Sequence, residues 1–201
     1  YIKKLFRQLN LQPNFIQGID KNTIDVDKLI KNKKVKKYKN VNQGRIACHY
    51  SHLKVLKDFL ETDKERCIIF EDDLKTKYNT FKTVNLLFDT LHNIPNDCDI
   101  LFLGYWWEKC NKVKSINKYI SYSVYPRCRH AYMINRKGAK IIIDNTSVMY
   151  NSGDEMYADL IKNGKLKSCT STYGLFIQNR ENLGSNLDNN RLDIIYSCNN
   201  L

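Results

Sequence analysis

No stretch of about 18 consecutive apolar residues occurs in this 201-residue chain, so no transmembrane helix is expected. Nor does the chain open with the charged, apolar and small-residue order of a secretory signal. It is expected to behave as a soluble domain, with cytoplasmic and lumenal locations both open. No CxxC pair occurs among the seven cysteines at 48, 67, 98, 110, 128, 169 and 198, which argues against a zinc ribbon or a thioredoxin-type site. The odd count leaves at least one thiol without an intrachain partner, and the redox state stays open. No internal repeat is visible.

Acidic residues are scarce, 21 against 33 Lys and Arg, for a formal net charge of +12. Such an excess can serve nucleic acid, a membrane surface or a nucleotide phosphate. Its placement points elsewhere. Much of it sits in "KLIKNKKVKKYKN" (28–40), which reads as a solvated or mobile loop, and the rest is scattered among asparagines and isoleucines. No basic, aromatic channel is evident, so no nucleic-acid partner is expected.

What is present is enough apolar residue, 42%, to bury one core, and a single domain over 1–201 is the simplest division. Helical spacing covers 1–9, 42–61, 78–94, 137–146 and 153–164. Short apolar runs predict strands at 14–20, at "RCIIF" before residue 71 and at "CDILFLGYWW" (98–107), with one more in the tail. The runs "YISYSVY" and "HAYMINR" are expected to pair with each other. Because strands alternate with helices, the predicted class is α/β, a mostly parallel sheet covered by helices on both faces. An α/β domain usually begins with a strand, and the chain opens in a helix, so a first strand is expected to be missing from this numbering.

Three constellations can carry chemistry. The first is "CIIFEDDLKTK" (67–77), a buried strand that ends in three carboxylates. Glu71 and Asp73 share one face of an extended chain and Asp72 the other. Hard oxygen ligands there suit Mg²⁺ or Mn²⁺ and, through it, a sugar diphosphate. A solvated turn or helix cap is the plainer reading. The second is "CHYSHLKVL" (48–56), where Cys48 and His52, or His49 and His52, have zinc-compatible helical spacing. Hydrogen bonding of Ser51 and His52 toward the sheet end is the favoured reading, since no second ligand pair follows. The third is "NSGDEMYADL" (151–160), whose Asp154 and Glu155 serve either as a general base or as complements to the helix dipole. Trp106 and Trp107 form either a stacking platform for sugar or acceptor, or packing.

In order along the chain, "GRIACHYSHLKVL", "CIIFEDDL" and "SGDEMYADL" resemble the motifs of glycosyltransferase family 25, which includes lipooligosaccharide and procollagen galactosyltransferases. "DILFLGY", "AYMINRKGAK" and "FIQNRENLGSNLD" add to the resemblance. It implies a GT-A type fold, and inverting transfer of a hexose, galactose or glucose, from a UDP-sugar to a hydroxyl acceptor on a glycan or a collagen-like protein, with Mn²⁺ or Mg²⁺. It further implies Asp73 on the metal and Glu71 nearer the ribose or sugar, with Asp72 in support. Asp154 or Glu155 would be the base, Gln178 and Ser185 would approach the donor, and Gly44, Cys48, Ser51 and His52 would support them from behind. Ala47 and the lysine-rich insert depart from the family pattern. An inactive binding or scaffolding module is the alternative, and a metal-dependent nuclease or nucleotidyl transferase a more distant one. Oligomeric state is not legible.

Overall fold

The computed structural model describes residues 1–105 and 108–179, with the backbone alone for Cys110. Helix α1 (Ile2–Gln8) buries Leu5 and Phe6. The short α2 (Val26–Lys31) is capped by the Asp25 side chain, and α3 (Gln43–Leu60) by Asn42, which accepts from the Arg45 N–H. Then follow β1 (Arg66–Phe70), β2 (Leu74–Thr76), α4 (Thr80–His92), β3 (Ile100–Phe102), β4 (Lys114–Ser115) and β5 (Ile120–Ser123). The chain continues through β6 (Ala131–Asn135), α5 (Arg136–Thr146), α6 (Gly153–Lys162), β7 (Ser168–Ser171) and β8 (Phe176–Gln178). Asn79 caps α4 and Asn135 caps α5 by the same side-chain bond.

Six strands form one sheet in the order β1-β6-β3-β7-β5-β4, and β2 pairs with β8 in a second, two-stranded sheet. Helices cover both faces of the larger sheet, as expected. Alternation along the strands sends Ile69, Ile100, Phe102, Tyr132 and Ile134 toward the face packed by Leu53 and Leu56 of α3, Ile142 of α5 and Tyr157 of α6. Leu101, Ala131, Met133 and Cys169 point to the other face, against Phe6 of α1 and Leu87 of α4. Each fully buried Leu, Ile, Met or Phe side chain among them contributes about 1.5–3 kcal/mol of transfer free energy.

The expectation of a mostly parallel sheet is corrected. Within the described six-stranded sheet only β3 and β7 pair in parallel; β1–β6, β6–β3, β7–β5 and β5–β4 are antiparallel. The expected β5–β6 hairpin is absent too, because β6 inserts between β1 and β3 while β5 lies beyond β7. A strand covered on both faces reads as a continuous apolar run whatever its direction, so "AYMI" announces burial and not orientation. No strand forms over 14–20; that segment runs beside α3, where the Ile19 N–H donates to Ser51 Oγ at 2.8 Å.

The lysine-rich stretch is solvated but anchored. Val35 is 1% exposed and bridges to Met149, while Lys28, Lys31, Lys33, Lys34, Lys36, Lys37 and Lys39 all face solvent.

Candidate active site

The carboxyl ends of β1, β3 and β7 lie at one edge of the sheet, and because β6 runs the other way, its amino end arrives at that same edge. The ladder between β1 and β6 continues one step beyond the strands, with the Glu71 N–H donating to the His130 carbonyl at 2.9 Å. Glu71 is therefore fixed by backbone pairing at the point where the apolar run ends.

Its side chain is held from two sides. His52 Nε2 donates to Glu71 Oε1 at 3.0 Å, and Gln178 Nε2 donates to Oε2 at 3.4 Å. The same Gln178 nitrogen donates to Asp73 Oδ2 at 3.0 Å, so Glu71 and Asp73 converge on one amide while Asp72 is exposed. The β2–β8 ladder, which pairs Leu74 with Gln178, makes this meeting possible. Behind His52, the Tyr132 hydroxyl lies 3.0 Å from Nδ1 and donates to it when the neutral ring keeps its proton on Nε2.

Helix α6 joins this cluster through Arg129. Arg129 Nε donates to Asp154 Oδ1 at 2.8 Å, Nη1 lies 3.5 Å from His49 Nδ1, and Nη2 donates to Cys48 Sγ at 3.6 Å. Cys48 Sγ in turn contacts Glu71 Oε1 at 3.8 Å. A continuous chain of polar contacts thus runs from Asp154 to Glu71. Two residues earlier, Arg127 takes both oxygens of Glu155 at 2.9 Å, and the Tyr125 hydroxyl donates to Oε2 at 3.2 Å.

Burial sets the protonation of the group. It raises the Glu71 carboxyl above its ordinary value, with Arg129 opposing, and it pushes the Cys48 thiol up to about 12, reinforced by Glu71. Burial and then Arg129 hold His49 down to about 3, and the same two causes depress His52 well below its usual value. Both imidazoles are neutral near pH 7. For Arg129 burial works against the charge, but Cys48, Asp154, Tyr157 and Glu71 together outweigh it and keep the guanidinium charged.

Of the residues singled out in the sequence, the structure gathers Glu71, Asp73, Gln178, Cys48, His52 and Asp154, with Glu155 beside them on α6. Gly44 is half-buried in the first turn of α3. Ser51 is turned elsewhere: its hydroxyl donates to the Ala47 carbonyl and accepts from Ile19, a correction to its expected support of the site. Trp106, Trp107 and Ser185 lie outside the described residues. Sequence reasoning missed Arg127, Arg129 and Tyr132. The signal available was "RCR", two arginines at strand spacing directly before an apolar run.

Cys48, His52 and Glu71 have ligand atoms within 4.8 Å of one another, the donor types of a zinc site. Those atoms are already engaged with each other, and the Arg129 cation sits against the thiol, where a metal would be repelled. Glu71 and Asp73 offer a hard divalent ion the oxygen donors it prefers, and because both now accept from the Gln178 amide, such an ion would take the place of that amide. Cys48, Cys67, Cys98, Cys128 and Cys169 form no disulfide.

The class defined by these features is an α/β domain whose polar, carboxylate-bearing site gathers at one edge of the central sheet. The family model described as glycosyltransferase family 25 (LPS biosynthesis protein) matches residues 1–161, and the chain belongs to that family. No curated protein sequence matches it. Membership makes the chain a glycosyltransferase-family protein, for which a sugar donor and an acceptor are the general partners. Among the described residues no helix is long and apolar enough to cross a membrane.

Proposed function

We propose that the protein transfers a hexose, galactose or glucose, from a UDP-sugar to the hydroxyl of a glycan or protein acceptor, with inversion at the anomeric carbon. The observation that carries this reading is the continuity from Asp73 and Glu71, through Gln178, Cys48 and Arg129, to Asp154. It brings a group of carboxylates suited to the donor and a candidate base onto one edge of the sheet.

Asp73, with Glu71 and Asp72 beside it, would hold Mn²⁺ or Mg²⁺, whose bound charge neutralises the diphosphate of the leaving group. Glu71, fixed by His52 and Gln178, orients the ribose or sugar. Asp154 takes the proton of the acceptor hydroxyl as that oxygen forms its bond to the anomeric carbon and the bond to UDP breaks. Asp154 ranks above Glu155 because Arg127 occupies both Glu155 oxygens, whereas among the described residues no hydrogen bond engages Asp154 Oδ2.

A second reading, a binding module without turnover, is favoured by one observation: both α6 carboxylates are ion-paired to arginines. A UDP-release screen decides between them. UDP-galactose, UDP-glucose and UDP-N-acetylglucosamine are each offered with water and hydroxyl acceptors, with and without Mn²⁺. Mn²⁺-dependent UDP release from a UDP-hexose supports the enzyme, and release from none of them supports the module.

A further inference from the structure

We propose that Arg129 is a positioning residue for the transfer: it holds Asp154 by a single oxygen, so that the other stays turned to the acceptor, and ties that carboxylate to the Glu71 side of the site. This rests on the glycosyltransferase reading above and adds to it a residue that the sequence motifs did not mark.

The guanidinium is almost wholly enclosed, with 4% of the Arg129 side chain exposed. A fork of this kind, left to itself, takes both oxygens of a carboxylate in parallel bonds. Here it does not. Nη1 is directed at His49 Nδ1 and Nη2 at Cys48 Sγ, while the contact to Asp154 is made by Nε, which reaches Oδ1 alone. His49 is held in turn, its Nε2 donating to the Thr146 carbonyl at 2.8 Å, which points the Nδ1 lone pair at the arginine. The guanidinium carbon lies 4.9 Å from the centre of the Tyr157 ring, a cation–π contact that fixes the plane of the fork.

Two backbone features accommodate this placement. Gly153, the first residue of α6, abuts the guanidinium, and a Cβ there would collide with its central carbon and both Nη atoms. Cys128 turns the chain into Arg129 with φ of +76°, a conformation that side-chain-bearing residues seldom adopt. Arg127 is the contrast. It is 31% exposed and grips both oxygens of Glu155, the arrangement of a neutralised surface pair.

A purely structural cation could meet Asp154 in any geometry. The one-oxygen contact leaves Asp154 Oδ2 without a hydrogen bond among the described residues, open to the proton of an acceptor. Lysine would preserve the charge but not three directed bonds in a plane.

The test uses the full chain and compares Arg129→Lys, Arg129→Ala and wild type by transfer kcat, donor KM, UDP affinity and thermal unfolding. The expected result for Arg129→Lys is a folded protein with UDP affinity within about twofold of wild type and kcat lowered about 10- to 100-fold, as small misplacements of reacting groups produce. Millimolar guanidinium should restore part of the kcat of Arg129→Ala and none of that of Asp154→Asn. A wild-type kcat in folded Arg129→Lys overturns the role of Arg129 and leaves the glycosyltransferase reading standing. So does a fall of kcat and UDP affinity only in step with the folded fraction. A wild-type protein that turns over no UDP-sugar overturns both.

Discussion

Replacing His49 by glutamine should flatten the pH dependence of stability, and the structure gives the size of the effect. His49 is fully buried and held as a neutral ring between the Thr146 carbonyl and Arg129, with its pKa lowered from 6.5 to about 3. Its folded value lies below its unfolded one. Stability is therefore complete above about pH 6.5 and is lost as pH falls toward 3, because the unfolded chain binds a proton that the folded one refuses. At pH 5 the linkage amounts to about 2 kcal/mol for this one group, at 1.36 kcal/mol per pKa unit. His52 carries the same sign, and the raised Glu71 carboxyl carries the opposite one, so the wild-type slope is a sum. The difference between wild type and His49→Gln isolates His49, since glutamine can still donate to Thr146 and accept from Arg129. Urea unfolding of both proteins at pH 7.5 and pH 5.0 is the assay. The wild type should lose about 2 kcal/mol more than the variant between the two conditions, and equal losses within about 0.5 kcal/mol would show that His49 titrates freely in the folded state.

Two further outcomes are expected. Asp73→Asn should abolish Mn²⁺-dependent UDP binding with little change in unfolding midpoint, as measured by calorimetry; unchanged metal-dependent affinity would remove Asp73 from the metal site. Gly104→Ala should destabilise by about 1–3 kcal/mol and weaken UDP binding, because a Cβ there strikes the Phe176 carbonyl and the His130 ring at the junction that places β8 and Gln178. Denaturant titration should find that loss, and a stability equal to wild type would mean that this junction is looser than drawn.

The parts of the fold that were legible in the sequence are those with strong local signatures. Helix α6, with its acidic first turn, and α3, with its Asn42 cap, fall where spacing and capping place them. Strand β7, "SCTS", was invisible because it buries four polar or small residues, and its pairing with β3 and β5 is set by tertiary contacts. Strand direction was illegible for the reason "AYMIN" shows: burial on both faces erases the alternation that distinguishes one setting from another. The reversal of β6 and the unforeseen arginine are one fact. Had β6 run parallel to β1, its amino end, and Arg129 with it, would lie at the far edge of the sheet. Carboxylates at the end of an apolar strand could be read directly, whereas the cation that balances them comes from about 60 residues away, and no local pattern encodes that distance.

The central claim is that the carboxylates after β1 and Asp154 of α6 serve a single transfer reaction. It is tested most directly by measuring, on one preparation of Asp154→Asn, both UDP-sugar affinity and single-turnover transfer with Mn²⁺. The account predicts donor affinity close to wild type and transfer slowed by about 10²- to 10⁴-fold, the usual contribution of a general base. Transfer at the wild-type rate in that variant would contradict it.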